Sequence, residues 1–203
     1  MVERMAIKES SDELNPDIAI NQSSAVARRP ARSLSDYVCL AIATCGVGYF
    51  PIAPGTLGSV LGIIIYFLLN QLVLLLFSPT SRLPVLSLLL TAQLLLITVI
   101  ALAGIWAASR TEKLMGRKDP GKVVIDEVAG QLMAFLPVQQ LHSDWITIIS
   151  AFMLFRLFDI IKPYPARRLE SLESGLGIMA DDIVAGAYAA VGVSLIAVLR
   201  YSI

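Results

Sequence analysis

Two short segments carry the residues best suited to chemistry: Asp126-Glu127-Val128-Ala129-Gly130 and Asp182-Ile183-Val184-Ala185-Gly186. In each, a carboxylate stands four residues before a glycine, so both occupy one helix face and the glycine lets another helix approach closely. Packing through Gly130 and Gly186 would bring Asp126 and Asp182 together, with Glu127 and Asp181 beside them. Carboxylates gathered in this way repel unless a proton or a cation intervenes. Mg2+ suits such a set, because it takes a few carboxylates and completes its shell with water and phosphate oxygens. A plainer reading is that each acidic pair favours a helix N-terminus through the helix dipole. That reading weakens when both pairs occur beside further charges in an apolar segment.

Those charges are Arg156, Asp159 and Lys162, spaced by three within Phe155–Lys162, so they cover an arc of one helix face. Near the middle of a bilayer each would cost roughly 2.5–3.5 kcal/mol, which makes uncompensated charge there unexpected. Arg156 could bind a phosphate bidentately and Lys162 could act as a point charge. Asp159 could orient Arg156 or join the metal site. The competing role is structural: an Arg156–Asp159 pair in helix packing and a snorkelling Lys162. Pro163 and Pro165 stop the helix and hold the cluster at the membrane boundary. The turn Lys118-Asp119-Pro120-Gly121 could lie over the same site. Gly175-Leu176-Gly177 lacks the strand and third glycine of a dinucleotide fingerprint, and Gly55–Ser59 lacks the lysine of a P-loop. The lone histidine, His142, is expected in an outer turn, and neither Cys39 nor Cys45 has an arginine six positions later. A phosphate enzyme built from this chain would rely on carboxylates and a metal.

The elements that must position these groups are apolar. Of 203 residues, 56% are hydrophobic and 16% charged, well below the quarter usual in soluble domains, and mean hydropathy is +0.73. Formal net charge is zero, so no global field favours nucleic acid. Two cysteines are too few for a disulfide scaffold or a four-cysteine zinc site. Residues 1–33 are polar and aperiodic, a disordered cytoplasmic tail without a secretory signal pattern. Residues 34–203 form the membrane domain.

Tyr37–Phe50 is short for a span and reads as an interfacial or re-entrant helix closed by Pro51. Thr56 is a candidate N-cap for a spanning helix over about Leu57–Phe77. A turn at Ser78–Arg82 and a second run to about Ala108 complete a hairpin. Ser109–Lys122 is a basic loop, placed in the cytoplasm by the positive-inside rule. The short apolar stretch Val128–Val138 follows the first acidic pair. Trp145–Ile161 returns to Lys162, and Ile183–Leu199 crosses outward from the second pair. The expected architecture is an all-α bundle of about four to five membrane-embedded helices plus the short N-terminal one, with both acidic pairs at the cytoplasmic interface.

PIAPGTLGS at 51–59, KDPGKVVIDEVAG at 118–130, and FRLFDIIKPYPARRLE with GLGIMADDIVAG between 155 and 186 resemble bacterial phosphatidylglycerophosphatase A. The resemblance covers about Leu34 to the C-terminus. It implies a Mg2+-dependent, all-helical phosphatase of the bacterial inner membrane that converts phosphatidylglycerophosphate to phosphatidylglycerol and inorganic phosphate, with its site facing the cytoplasm. By the same resemblance, Asp126, Glu127, Asp181 and Asp182 are the leading metal and catalytic carboxylates, with Asp159 in their cluster. Lys118, Arg156 and Lys162 contact phosphate, and Thr56 helps shape the pocket. Membrane lipids are the expected surroundings, nucleic acid is not a partner, and a homo-oligomer is compatible with the sequence. The competing classes are a small ion or solute transporter, which the lack of a full inverted repeat disfavours, and a noncatalytic membrane scaffold.

Overall fold

The computed structural model describes residues 32–77, 85–139 and 144–201. The expected tail before Arg32, the Ser78–Arg82 turn and the turn holding His142 lie outside the described residues. Within them the chain is helical: α1 (Leu34–Thr44), α2 (Pro54–Leu76), α3 (Val85–Met115), α4 (Ile125–Ala134), α5 (Trp145–Ile161), α6 (Ala166–Leu169) and α7 (Gly175–Tyr201), with single 3-10 turns at Val47–Tyr49 and Pro137–Gln139. Three helices, Pro54–Leu76, Val85–Met115 and Gly175–Arg200, are long and apolar enough to cross a membrane. Their outward faces carry Leu68, Leu75, Leu95, Val99, Leu195 and Leu199, all exposed. Apolar surface on this scale is what lipid covers, and the chain is an all-α membrane protein.

The helix boundaries differ from the sequence reading: the helix expected over Tyr37–Phe50 runs Leu34–Thr44, that over Val128–Val138 runs Ile125–Ala134, and three further differences bear on the site. Thr56 is not the N-cap of α2; the helix begins at Pro54, behind Ala53 in the left-handed region at φ 47°. Proline at the first helical position loses no hydrogen bond, since that N–H has no partner inside the helix. Ser109–Met115 is not loop but the last two turns of α3, held to α1 where Arg110 Nε donates to Asp36 Oδ1 at 2.7 Å. The N-terminus of α1 is itself fixed by a capping box between Ser33 and Asp36. Finally, α7 begins at Gly175, so Asp181 and Asp182 lie nearly two turns inside it. Gly175 donates its N–H to Ser109 Oγ at 2.9 Å. A Cβ at Gly175 would stand 2.8 Å from the Ser109 backbone nitrogen, so glycine is needed for this approach.

The helix everything else surrounds is α4. Ten residues cannot span, and eight of them are buried; it sits among α2, α3, α5 and α7, packing most extensively on α7 and α2. At its start Val124 N–H donates to Ala43 O at 2.9 Å, tying it to the end of α1. At its far end a helix buried in apolar surroundings leaves carbonyls that need donors. Gln93, fully buried in α3, supplies one by donating to Leu132 O at 2.8 Å. Gln139 then donates to Gln93 Oε1 at 3.0 Å and to Asn70 Oδ1 at 2.7 Å, extending the network to α2. A cluster of Tyr66, Ile97, Val128, Leu132, Phe135 and Val193 packs around this part of α4.

Candidate active site

Glycine contacts bring the two acidic segments together. A Cβ on Gly130 would stand 2.7 Å from the Asp182 carbonyl oxygen, and one on Gly186 would overlap the Gly130 carbonyl oxygen and lie 2.9 Å from Met133 Cβ. With backbones this close, Asp126 and Glu127 in the first turn of α4 meet Asp182 of α7. One carboxylate oxygen from each of the three lies within 4.8 Å of the others. The helix-dipole explanation suits the first pair. It does not suit Asp182, which is nearly two turns from its helix start.

Asp126 and Asp182 are buried, Glu127 partly so. Burial, and for Glu127 also the Asp126 charge, pushes the carboxyls of this pair above the usual carboxylate range. Asp126 Oδ1 and Glu127 Oε2 are buried without a hydrogen-bond partner among the described residues. Buried acceptors are normally satisfied. Two unpartnered oxygens within a three-carboxylate cluster fit a hard cation, and an all-oxygen donor set suits Mg2+.

Asp181 turns elsewhere. Its Oδ2 accepts from Lys162 Nζ at 2.7 Å, and Lys162 also reaches Glu170 Oε1 at 3.0 Å. Burial lowers the basicity of Lys162, but these two hydrogen-bonded carboxylates outweigh it and hold the ammonium above its usual range. Lys162 occupies the left-handed region at φ 48° as the C-cap of α5, immediately before Pro163. A non-glycine residue there carries strain of order 1–3 kcal/mol, offset here by the two ion pairs. Arg156 Nη1 pairs with Asp159 Oδ2 at 2.7 Å and lies 3.5 Å from Ser59 Oγ.

A cavity of about 130 Å³ joins these groups; Lys118, Asp126, Glu127, Asp159, Lys162, Asp181 and Asp182 line it. Arg156 and Thr56 do not. Arg156 is paired with Asp159, and Thr56 sits in the first turn of α2. What α2 contributes is Gly55, where a Cβ would overlap Glu127 Oε1 and stand 3.3 Å from Arg156 Nη2. The sequence reading missed Glu170 and Asp119 as lining residues. Glu170 offered only a carboxylate after two arginines in a loop, whereas Asp119 lay in a turn already singled out.

Fold and site together define a class: an all-helical membrane protein whose buried carboxylates and lysine converge on a cavity of phosphate size, suited to phosphohydrolase chemistry. The chain belongs to the phosphatidylglycerophosphatase A family, which matches residues 40–197, and it is a phosphatase. It is 36% identical to phosphatidylglycerophosphatase A of Haemophilus influenzae, over 72% of this chain and 80% of the relative. Against phosphatidylglycerophosphatase A of Escherichia coli identity is 32%, over 71% and 74%. It is also 40% identical to a protein of Bacteroides thetaiotaomicron named putative phosphatidylinositol-3-phosphatase, over 78% and 90%. No solved structure matches the chain.

Proposed function

We propose that the chain hydrolyses phosphatidylglycerophosphate to phosphatidylglycerol and inorganic phosphate with Mg2+, in the bacterial inner membrane and from the cytoplasmic side. The observation that carries this is the Asp126–Glu127–Asp182 cluster with its two unpartnered buried oxygens, set in a cavity with Lys162 and Lys118. Those three carboxylates would hold the metal. When bound it would supply Lewis-acid polarisation of the phosphoryl group.

The protein's own residues account for the rest. Lys162 and Lys118 offset charge on the terminal phosphate, as positioning and electrostatic stabilisation dominate phosphoryl transfer. Asp181 and Glu170 fix the Lys162 ammonium, and Arg156 braces Asp159 at the cavity wall. With Asp159 and Asp181 engaged by cations, the proton of an in-line attacking water falls to a carboxylate of the cluster. The cytoplasmic placement is supported by the basic residues that gather at this end, Arg110, Lys113, Arg117, Lys118 and Lys122.

The Bacteroides relative's name favours one alternative substrate, a lipid bearing a phosphomonoester on inositol. The test is phosphate release by purified protein in mixed micelles, with Mg2+ and with chelator, from phosphatidylglycerophosphate and from phosphatidylinositol 3-phosphate. Mg2+-dependent release from the first, abolished in folded Asp182→Asn, is expected. Release from the inositol lipid alone would reassign the substrate, and release unaffected by chelator would remove the metal.

A further inference from the structure

The headgroup of the proposed substrate is longer than a single phosphate, and the inner cavity is small, about 130 Å³. That headgroup carries two phosphates, a terminal monoester and the diester to the diacylglycerol. Six bonds across a glycerol separate them, the length of about two extended residues, roughly 7 Å. If the monoester enters the inner cavity, the diester must lie just outside.

A second groove of about 490 Å³ adjoins the first; Arg117, Lys118, Asp119, Arg167, Glu170 and Ser171 line it, and Lys118, Asp119 and Glu170 line both. Its carboxylates are fewer than they look, since Glu170 is already committed to Lys162. Among the described residues, Arg117 and Arg167 form no ion pair, and Lys118 reaches only the Ser171 carbonyl oxygen at 3.5 Å. Earlier in the chain than Arg167, Ile160 is 75% exposed and Tyr164 74%.

We propose that Arg117 and Arg167, with Lys118 between the two cavities, form a subsite for the phosphodiester of the substrate lipid. This rests on the lipid phosphatase reading above. The subsite binds the part of the substrate that does not react, and so acts on substrate binding more than on the chemical step.

The test uses full-length protein in nonionic detergent micelles, comparing wild type with the Arg117→Gln/Arg167→Gln double variant. The expected result is a KM for phosphatidylglycerophosphate raised about tenfold or more, with kcat changed less than about twofold. Inhibition by phosphatidylglycerol, which carries only the diester, should weaken by a similar factor. Inhibition by inorganic phosphate, which fits the inner cavity alone, should not change. An unchanged KM overturns the proposal. So does parallel weakening of inhibition by inorganic phosphate, which marks a general attraction for anions. A KM effect seen only when anionic lipid is added to the micelles overturns it too, and assigns the groove to the membrane surface. Failure of the underlying reading is separate: wild type itself would release no phosphate from this lipid.

Discussion

Replacing Gly130 by alanine should silence the enzyme while leaving the fold nearly intact. The new Cβ would overlap Phe155 Cε2 and stand 2.7 Å from the carbonyl oxygen of Asp182. Comfortable contacts begin near 3.5 Å, so something must move by roughly 0.8 Å. The Phe155 ring has no room, being fully buried, and the other neighbour is backbone. The shift therefore falls on α7 at the residue that completes the carboxylate cluster. A misplacement of about 1 Å can cost about a hundredfold in rate. The stability change should be small by comparison: overpacking costs about 1–3 kcal/mol, and alanine regains about 1 kcal/mol of helix propensity over glycine. The assay is kcat/KM for phosphatidylglycerophosphate beside thermal unfolding in the same micelles. Gly192→Ala in α7 is the control, since its Cβ meets only the flexible end of Leu154; it should retain activity within about threefold. Gly130→Ala activity within threefold of wild type would refute the idea that the glycine contact sets the cluster.

Charge within the cluster gives a second prediction. At 4.8 Å and an effective dielectric near 20, two like charges repel by about 3 kcal/mol. Asp126→Asn should therefore abolish phosphate release yet raise the unfolding temperature of metal-free protein. The pH dependence follows from the raised Asp126 and Glu127 carboxyls. Their contribution to stability is complete below the ordinary carboxylate range and is lost as pH rises through the folded-state values, so stabilisation by added Mg2+ should grow with pH, and a pH-independent Mg2+ shift would contradict this. Lys162→Met leaves Asp181 and Glu170 without their cation and should cut kcat/KM by about tenfold to a hundredfold, with Lys162→Arg recovering part of the loss. Gln93→Leu removes the hydrogen bonds that Gln93 makes to Leu132 O and accepts from Gln139 and should destabilise by about 1–2 kcal/mol in chemical denaturation. At the other end of α5, Asp144 caps Thr147 N–H at 2.8 Å and accepts from Arg200 at 2.7 Å. The Arg200 hydrogen bond, then the cap, hold its carboxyl below the usual range. That stability is present above the ordinary carboxylate value and lost as pH falls through the folded one, so Asp144→Asn should flatten the acid limb of the unfolding profile.

What could be read from the sequence was whatever followed from local spacing. The carboxylate-to-glycine interval of four appears in the structure as the contact between Gly130 and Gly186, and Asp126 meets Asp182 across it. The run Trp145–Ile161 is a helix with the bounds its apolar residues mark. Spacing failed where partners far along the chain decided the outcome. Hydropathy ends α3 near Ala108, because it does not register that Arg110 finds Asp36, 74 residues away, and keeps the helix going. It starts α7 at the second acidic pair, because it does not register that Ser109 receives the N–H of Gly175. Adjacent residues in a sequence motif also need not share a role. Asp181 and Asp182 are neighbours, but successive helix positions are about 100° apart. Asp182 faces Asp126 and Glu127, whereas Asp181 faces Lys162. In the proposed mechanism the doublet therefore joins the two halves of the site: Asp182 completes the carboxylate cluster, and Asp181 orders the Lys162 ammonium that would meet the phosphate. Deleting one residue between Gly175 and Asp181 would keep the doublet yet turn both carboxylates by about 100°, which is why the doublet is read correctly only once the rotation of α7 against α4 is known.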